Sequence, residues 1–432
     1  MSLVINQSPV ERLTAHFEQE LPSLYGDAAL RREAMATLRE KGIPDRKWED
    51  YKYINPAALF KQPHVAQARV GLEIKPEAVT LMVLQPGSAL AVVVNGELRE
   101  DLSKLDRLPA GVRVKSIADA VVSDAVAREY YNAVNGTSAD PFVLWNNALN
   151  KGGVFIHVDK NVQSEVGIHV LHISTNEVAA VSHPRNLFVI ERDAQIEIVE
   201  SFETLGPVKT FTNALTEVVV HQNAIVDHYR MQLEGQVGHQ MNTVNAVTQK
   251  GSNYRTYTFT LDGAWVRNNL NIRFSESHAE AHLFGLTMLN GQRVADHHTI
   301  VDHAIPNCMS NELYKGVLDD KSLGVFNGKI FVRRDAQKTN AYQTNRNILL
   351  SDDAQINTKP QLEIYADDVK CSHGTSTGRM DEDALFYLRA RGIGEAAARK
   401  LLVRAFAEEV VTNVPNDAIR AYVENRLDHF FN

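Results

Sequence analysis

Apolar residues recur with two different periods along this 432-residue chain, and the period changes twice. From residue 1 to about 62 the spacing is helical, with Leu13, Phe17 and Leu21 at i, i+4 and i+8. A second helix is predicted near Ala28 to Lys41, stopped by Gly42 with Pro44 just beyond. The aromatic and charged segment Trp48-Glu49-Asp50-Tyr51-Lys52-Tyr53 reads as buried against its domain rather than as a docking arm. From about 70 to 150 the pattern is mixed, an accessory layer. Val79 to Leu84 and Ala91 to Leu98 read as short strands, the second turning at Asn95-Gly96. Ser116 to Tyr131 and Asp140 to Asn150 read as helices.

Between about 152 and 375 the period drops to two. Short runs such as Val154–Val158, Gln195–Val199, Glu217–Val220, Tyr254–Leu261 and Lys329–Val332 alternate polar with apolar or β-branched residues, as half-buried strands do. The triplet Asp-Ala-Gln begins at Asp193, Asp335 and Asp353, the last two 18 residues apart, each time at a turn. That spacing fits a coil of short strands, a β-solenoid; a β-sandwich fits the pattern as the alternative. Asn340, Thr344, Asn345, Asn347, Asn357 and Thr358 are turn residues one by one, or ladders between coils if the solenoid holds.

After Gly378 helical spacing returns. Asp381-Glu382-Asp383 places acids in a first turn. That helix ends at Gly392; a second carries Ala398, Leu401, Leu402, Ala405, Phe406 and Val410; a third starts at Pro415-Asn416-Asp417 and presents Ile419, Tyr422, Val423, Leu427, Phe430 and Phe431. These stripes either dock a partner or cap the open end of the solenoid, or both. The chain thus divides into residues 1–150, helical and mixed, a β-core at 151–376, and a helical unit at 377–432.

A formal charge of −8 argues against a nucleic-acid or anionic-membrane partner. No apolar run is long enough to span a bilayer, and Met1–Asn6 lacks the features of a signal peptide, so a cytoplasmic location is expected. With two cysteines, Cys308 and Cys371, there is neither a disulfide framework nor the four thiolates of an ordinary iron–sulfur site. Cys308, in a Pro306-Asn307-Cys308 loop, reads as structural.

The densest chemistry lies in Tyr365-Ala366-Asp367-Asp368-Val369-Lys370-Cys371-Ser372-His373-Gly374. On a strand Cys371 and His373 share one face, with Gly374 free to turn the chain. A thiol beside an imidazole is half of a metal site, which something else must complete. Asp296-His297-His298 with Asp302-His303 is a second candidate, read as a solenoid-surface or interface feature in preference to a dedicated metal site.

Several runs in order resemble one family. They are Asp302-His303, Asn311-Glu312-Leu313-Tyr314-Lys315-Gly316, Val325-Phe326-Asn327-Gly328-Lys329, Ala336-Gln337-Lys338-Thr339-Asn340 and Asn347-Ile348-Leu349-Leu350. Lys359-Pro360-Gln361-Leu362-Glu363-Ile364, the Cys371 run and Phe386-Tyr387-Leu388-Arg389-Ala390-Arg391-Gly392-Ile393 continue them, with Gly42-Ile43-Pro44 and Trp48-Glu49 upstream. Together they resemble the SufB/SufD family of iron–sulfur cluster assembly scaffolds. Val-Lys-Cys-Ser-His-Gly is like the SufD branch. Ala354 stands where the SufB branch looks to carry its sulfur-accepting thiol, so this chain resembles the partner that accepts no sulfur.

The resemblance implies a right-handed parallel β-helix with helical terminal domains. It implies a non-enzymatic scaffold, pairing with a SufB-like subunit to build a transient cluster at their interface. ATP enters only through a SufC-like ABC-type ATPase. It makes His373 the first candidate ligand and Cys371 the second. It places the ATPase contact around Phe386, Tyr387, Arg389, Arg391, Gly392, Leu402 and Phe406. The isolated chain is expected to form a homodimer through the surface meant for SufB. The sequence has no G-x-x-x-x-G-K-[ST] loop, no G-x-S-x-G elbow and no motif supporting a bound flavin. The alternative is a β-helix polysaccharide hydrolase or lyase, for which Asp319, Asp320, Asp352 and Asp353 are the available carboxylates, all at turn-like positions.

Overall fold

The structure is a computed structural model, which describes residues 8–56, 59, 65–66, 73–135, 138–175, 177 and 179–430. Met1–Asn6 and Phe431 lie outside the described residues. Its centre is a parallel β-solenoid of about 8 turns. Each turn gives one strand to each of two facing sheets, and every strand lies parallel to its counterpart one turn on. Register partners are 26 to 32 residues apart, as in His239 with Trp265 and Leu323 with Gln355. The 18-residue spacing of Asp335 and Asp353 is therefore not the coil repeat. The two turns lead into Asn340–Leu349 and Gln355–Ile364, which belong to opposite sheets of one coil. Because each coil is two strands face to face, its side-chain pattern is that of a sandwich, and only the long repeat separates the two folds.

Alternation along each strand sends one set of side chains inward and the other outward. Inward residues of both sheets, among them Ile198, Val226, Val244, Leu270, Leu283 and Phe326, form the main core. The outer face of the first sheet is covered by the N-terminal helices Pro9–Glu20, Ala28–Lys41 and Pro141–Leu149. Their Phe17, Met35, Leu38, Phe142 and Trp145 pack on Phe211, Met241 and Trp265. Tyr51 is buried in the same cluster, so the aromatic segment packs against the fold, with the Arg267 guanidinium over the Tyr51 ring.

The mixed region is not a separate layer. Its strand Ala89–Val94 pairs in parallel with Ile168–Thr175 and extends the second sheet, and Val112–Ser116 pairs antiparallel with Val154–Val158 and extends the first. Asn95 and Gly96 take positive φ in the turn into Glu97–Leu98. The strand expected at Val79 to Leu84 is instead the helix Pro76–Leu81. Pro76 at its first turn is already set for helical φ, and only Val79 of that segment's first five residues is buried, one turn's contact rather than a strand's alternating face. The helix expected over Ser116 to Tyr131 is two, Ile117–Ser123 and Ala125–Tyr130, because Asp124 leaves helical geometry to cap the second.

The C-terminal helices Glu382–Ala390, Glu395–Val411 and Asp417–His429 do not cap the open end of the solenoid. They lie on the outer face of the second sheet, where Val403, Ala407, Val410, Val423 and Leu427 cover Tyr229, Tyr257, Phe284 and Leu286. Lys315 pins them. Its ammonium donates to the Phe406 carbonyl at 2.8 Å, pairs with Glu409 and sits over the Phe406 ring. Replacing Lys315 by Met is expected to speed amide exchange in Glu395–Val411 by about five- to thirtyfold, the equivalent of roughly 1–2 kcal/mol of local stability, with the solenoid strands unaffected; hydrogen exchange by mass spectrometry reads both.

Candidate functional site

The solenoid's two ends are finished differently. At the first end the two-residue Glu97–Leu98 and the antiparallel Val112–Ser116 terminate the sheets. At the other, among the described residues, Gln355–Ile364 pairs only with Leu323–Val332, and Lys370–Arg379 only with Asn340–Leu349. Two ten-residue strands thus offer a free edge side by side.

Hydrogen-bond parity shows which backbone groups are free. In a parallel ladder alternate residues address alternate neighbours. Gln355 donates to Ser322 and Tyr365 to Val332, so residues 356, 358, 362 and 364 point their N–H groups outward. Pro360 falls at the outward position between them, where its missing donor costs the chain's own ladder nothing. Lys370 donates to Thr339, which turns the N–H groups of Cys371, His373, Thr375, Thr377 and Arg379 outward. The stretch Cys371–Gly378 contains no charged side chain, the usual protection of an exposed strand edge.

His373 is exposed on this edge. Cys371 shares its inward face, as the strand period requires, but packs into the apolar end of the bore with Ile330, Val332, Ala341 and Leu362. Burial pushes its thiol pKa up, away from the thiolate that ligates metal. Gly374 does not turn the chain; it continues the strand opposite Thr344. Ala354 is buried in the turn before Gln355–Ile364. Near this end Lys359 forms an ion pair with Glu49 of the N-terminal segment.

Behind His373 the bore is polar. Glu312, Gln343 and His373 are successive register partners in the second sheet. The Gln343 amide nitrogen donates to Glu312 at 2.8 Å, both side chains being buried. Burial raises the Glu312 pKa to about 7, against the opposing effect of that hydrogen bond. Further in, Glu200 accepts from His228 and Asn186, each at 2.7 Å. Burial pushes its carboxyl up, but the hydrogen bonds and charges of His172 and His228 outweigh this and hold it well below the usual range. Alternating polarity could not reveal this column, because its members look like the outward residues of a solvated strand.

The Asp296–His303 cluster does not form one site. His297 and His303 project into the bore, where they meet Thr287 and Ser310 at 2.8 Å each, and burial lowers their pKa values to about 4 and about 3. His298 and Asp296 lie on the outer face, 3.0 Å apart, with Arg267 donating to Asp296 at 2.8 Å. Among the described residues no three His, Cys, Asp or Glu side chains gather as a metal site. Cys308 is buried beside the Glu276 and Pro306 carbonyls.

The C-terminal candidates separate into two groups. Phe386 is 74% and Tyr387 58% exposed, and Arg389, Arg391 and Gly392 are exposed beside them, with Arg391 over the Tyr387 ring. Leu402 and Phe406 are half-buried and pack on the sheet-facing cluster, and Leu401 beside them is exposed. Of these, Phe406 is the one that Lys315 contacts, through its carbonyl and its ring.

Comparison with known proteins places this geometry. Residues 172–406, more than half of the chain, match the model of the SUF system FeS cluster assembly SufBD core domain, and residues 20–170 match the SufBD protein N-terminal region. The chain belongs to the SufBD family. An iron–sulfur cluster assembly SufBD family protein of Synechocystis is 30% identical over 95% of this chain and 93% of its own. The iron–sulfur cluster assembly protein SufD of Escherichia coli is 29% identical over 90% of each chain, and SufD of Bacillus subtilis 26% over 81% and 78%. As a SufBD family member the chain is an iron–sulfur cluster assembly protein.

The Glu312 environment gives a stability test. Its folded-state pKa is raised, from an ordinary 4.5 to about 7, so the fold favours the protonated acid. Below the unfolded value the group opposes nothing; as pH rises from there to the folded value, the unfolded chain alone releases the proton and stability falls. Glu312→Gln is expected to match the native thermal midpoint near pH 4 and to exceed it at pH 8, where the gain in unfolding free energy is on the order of 3 kcal/mol. Equal midpoints at pH 8 would show that Glu312 is not held as the acid.

Proposed function

We propose that this chain is a non-enzymatic scaffold subunit of SUF cluster assembly that joins a SufB-like subunit through the open end of its solenoid. The observation that carries the reading is the pair of uncovered ten-residue strands, whose alternate N–H and C=O groups have no partner among the described residues. A second solenoid of the same kind satisfies them by strand addition. The outward faces of Ser372, Gly374, Ser376 and Gly378 carry little side-chain bulk, which permits close approach.

The nascent iron–sulfur cluster is the cargo of that interface. His373 supplies one neutral imidazole donor from this chain. Cys371 is the weaker donor, since its thiol is half-buried among apolar groups. One or two donors from this side leave the remaining ligands to the partner, in keeping with alanine at position 354 here. Phe386, Tyr387, Arg389 and Arg391 form the exposed apolar and basic surface for a SufC-like ATPase, through which ATP hydrolysis acts on the pair. In isolation the same open edges associate two copies of the chain, and the SufB-like partner displaces the second copy. Among the described residues no helix is long and apolar enough to cross a membrane.

Backbone parity separates partner binding from folding. Thr375→Pro deletes an outward N–H and should weaken binding of the SufB-like subunit at least tenfold, about 1.4 kcal/mol, while the chain stays folded. Ser376→Pro deletes an inward N–H and should destabilise the chain itself. Binding by calorimetry and folding by circular dichroism distinguish them; native affinity in Thr375→Pro would sink the edge-pairing reading. In cluster reconstitution with both partners, His373→Ala should lower the yield of bound iron and sulfide without unfolding the chain, and an unchanged yield would remove His373 from the site.

A further inference from the structure

The environment behind His373 defines a role for a residue that no motif marks. Gln343 is held from two sides. Its amide nitrogen donates to Glu312, and on the facing sheet Gly328 makes room for it: a Cβ at position 328 would lie 2.3 Å from that nitrogen. With the nitrogen so committed, the amide oxygen has a fixed direction. That oxygen is buried and has no hydrogen-bond partner among the described residues. A buried acceptor left unpaired is unfavourable, and each such atom in a folded protein calls for an explanation. The residue directly opposite Gln343 in the next strand, on the same inward face, is His373. Adjacent strands lie about 4.8 Å apart, within reach of a side-chain hydrogen bond between register partners.

We propose that Gln343 is the positioning residue for His373: in the closed complex its amide oxygen accepts one imidazole N–H, fixing the tautomer and turning the other ring nitrogen toward the interface. Glu312 acts one step further back by holding the amide the right way round. The arrangement follows the general logic by which a histidine ligand is oriented through the nitrogen it does not use. This inference rests on the reading of His373 as the interfacial imidazole.

The test is nitrogen NMR on the full chain carrying 15N-histidine, bound to an unlabelled SufB-like subunit without iron. His373 is assigned from the signal lost in His373→Gln. Native Gln343 should give a single dominant tautomer. Gln343→Met should reduce the tautomer ratio at least tenfold, and Gln343→Glu, which keeps an acceptor oxygen there, should restore it. Unchanged tautomers in Gln343→Met overturn the proposal. So do two near-equal tautomers in the native complex, a measurement that holds whether or not the variants fold. Cluster yield in His373→Ala is read separately. A native yield there together with a Gln343-dependent tautomer removes the cluster role and leaves the positioning; a lost yield with a Gln343-independent tautomer does the reverse.

Discussion

A parallel strand can satisfy its backbone only by lying between two others, and this requirement organises the molecule. Each coil of the solenoid provides the edge on which the next is laid, so the fold grows as a column and has exactly the two ends that a column must have. One end is finished with a two-residue strand and an antiparallel one, short edges that recruit little. The other stops abruptly after Gln355–Ile364 and Lys370–Arg379, with full-length ladders unpaired on one side. That asymmetry gives the protein a direction, and His373 stands at the unfinished end.

Helices could have closed that end, and their placement elsewhere has consequences. The N-terminal helices cover one lateral face and the C-terminal helices the other, each burying an outward column of large apolar residues. The lateral faces are thereby sealed and the terminal edges left free. The C-terminal unit is fastened to the sheet by the buried ammonium of Lys315 and by packing, while its own far side presents Phe386 and Tyr387. Two surfaces, one of backbone edges and one of exposed aromatics, are thus held on one rigid column.

Much of this was legible in the sequence, in proportion to how local its causes are. Capped helices are legible almost to the residue: Ala28–Lys41 ends where Gly42 takes positive φ, and Asp381 caps the helix whose first turn carries Glu382 and Asp383. The β-core followed from alternation and recurring turns, but the coil length and the choice of solenoid over sandwich did not, because Asp335 and Asp353 mark half-coils. What failed was non-local. Nothing in Val79 to Leu84 says that only one side of it meets the core. Nothing in Asp296–His303 says that strand alternation sends two histidines into the bore and one outward. The partnership of Glu312, Gln343 and His373 spans three coils and has no signature in any single strand.

The central claim is that the free ladders at the solenoid's open end are completed by a second subunit. Residue-resolved hydrogen exchange of the chain, alone and mixed with a SufB-like partner, measures this directly. Edge pairing predicts new protection at the outward amides of residues 371, 373, 375 and 377, or of 356, 358, 362 and 364, with the inward amides between them already slow in the free chain. New protection confined to the C-terminal helices or the lateral faces, with these amides still exchanging freely, would contradict it.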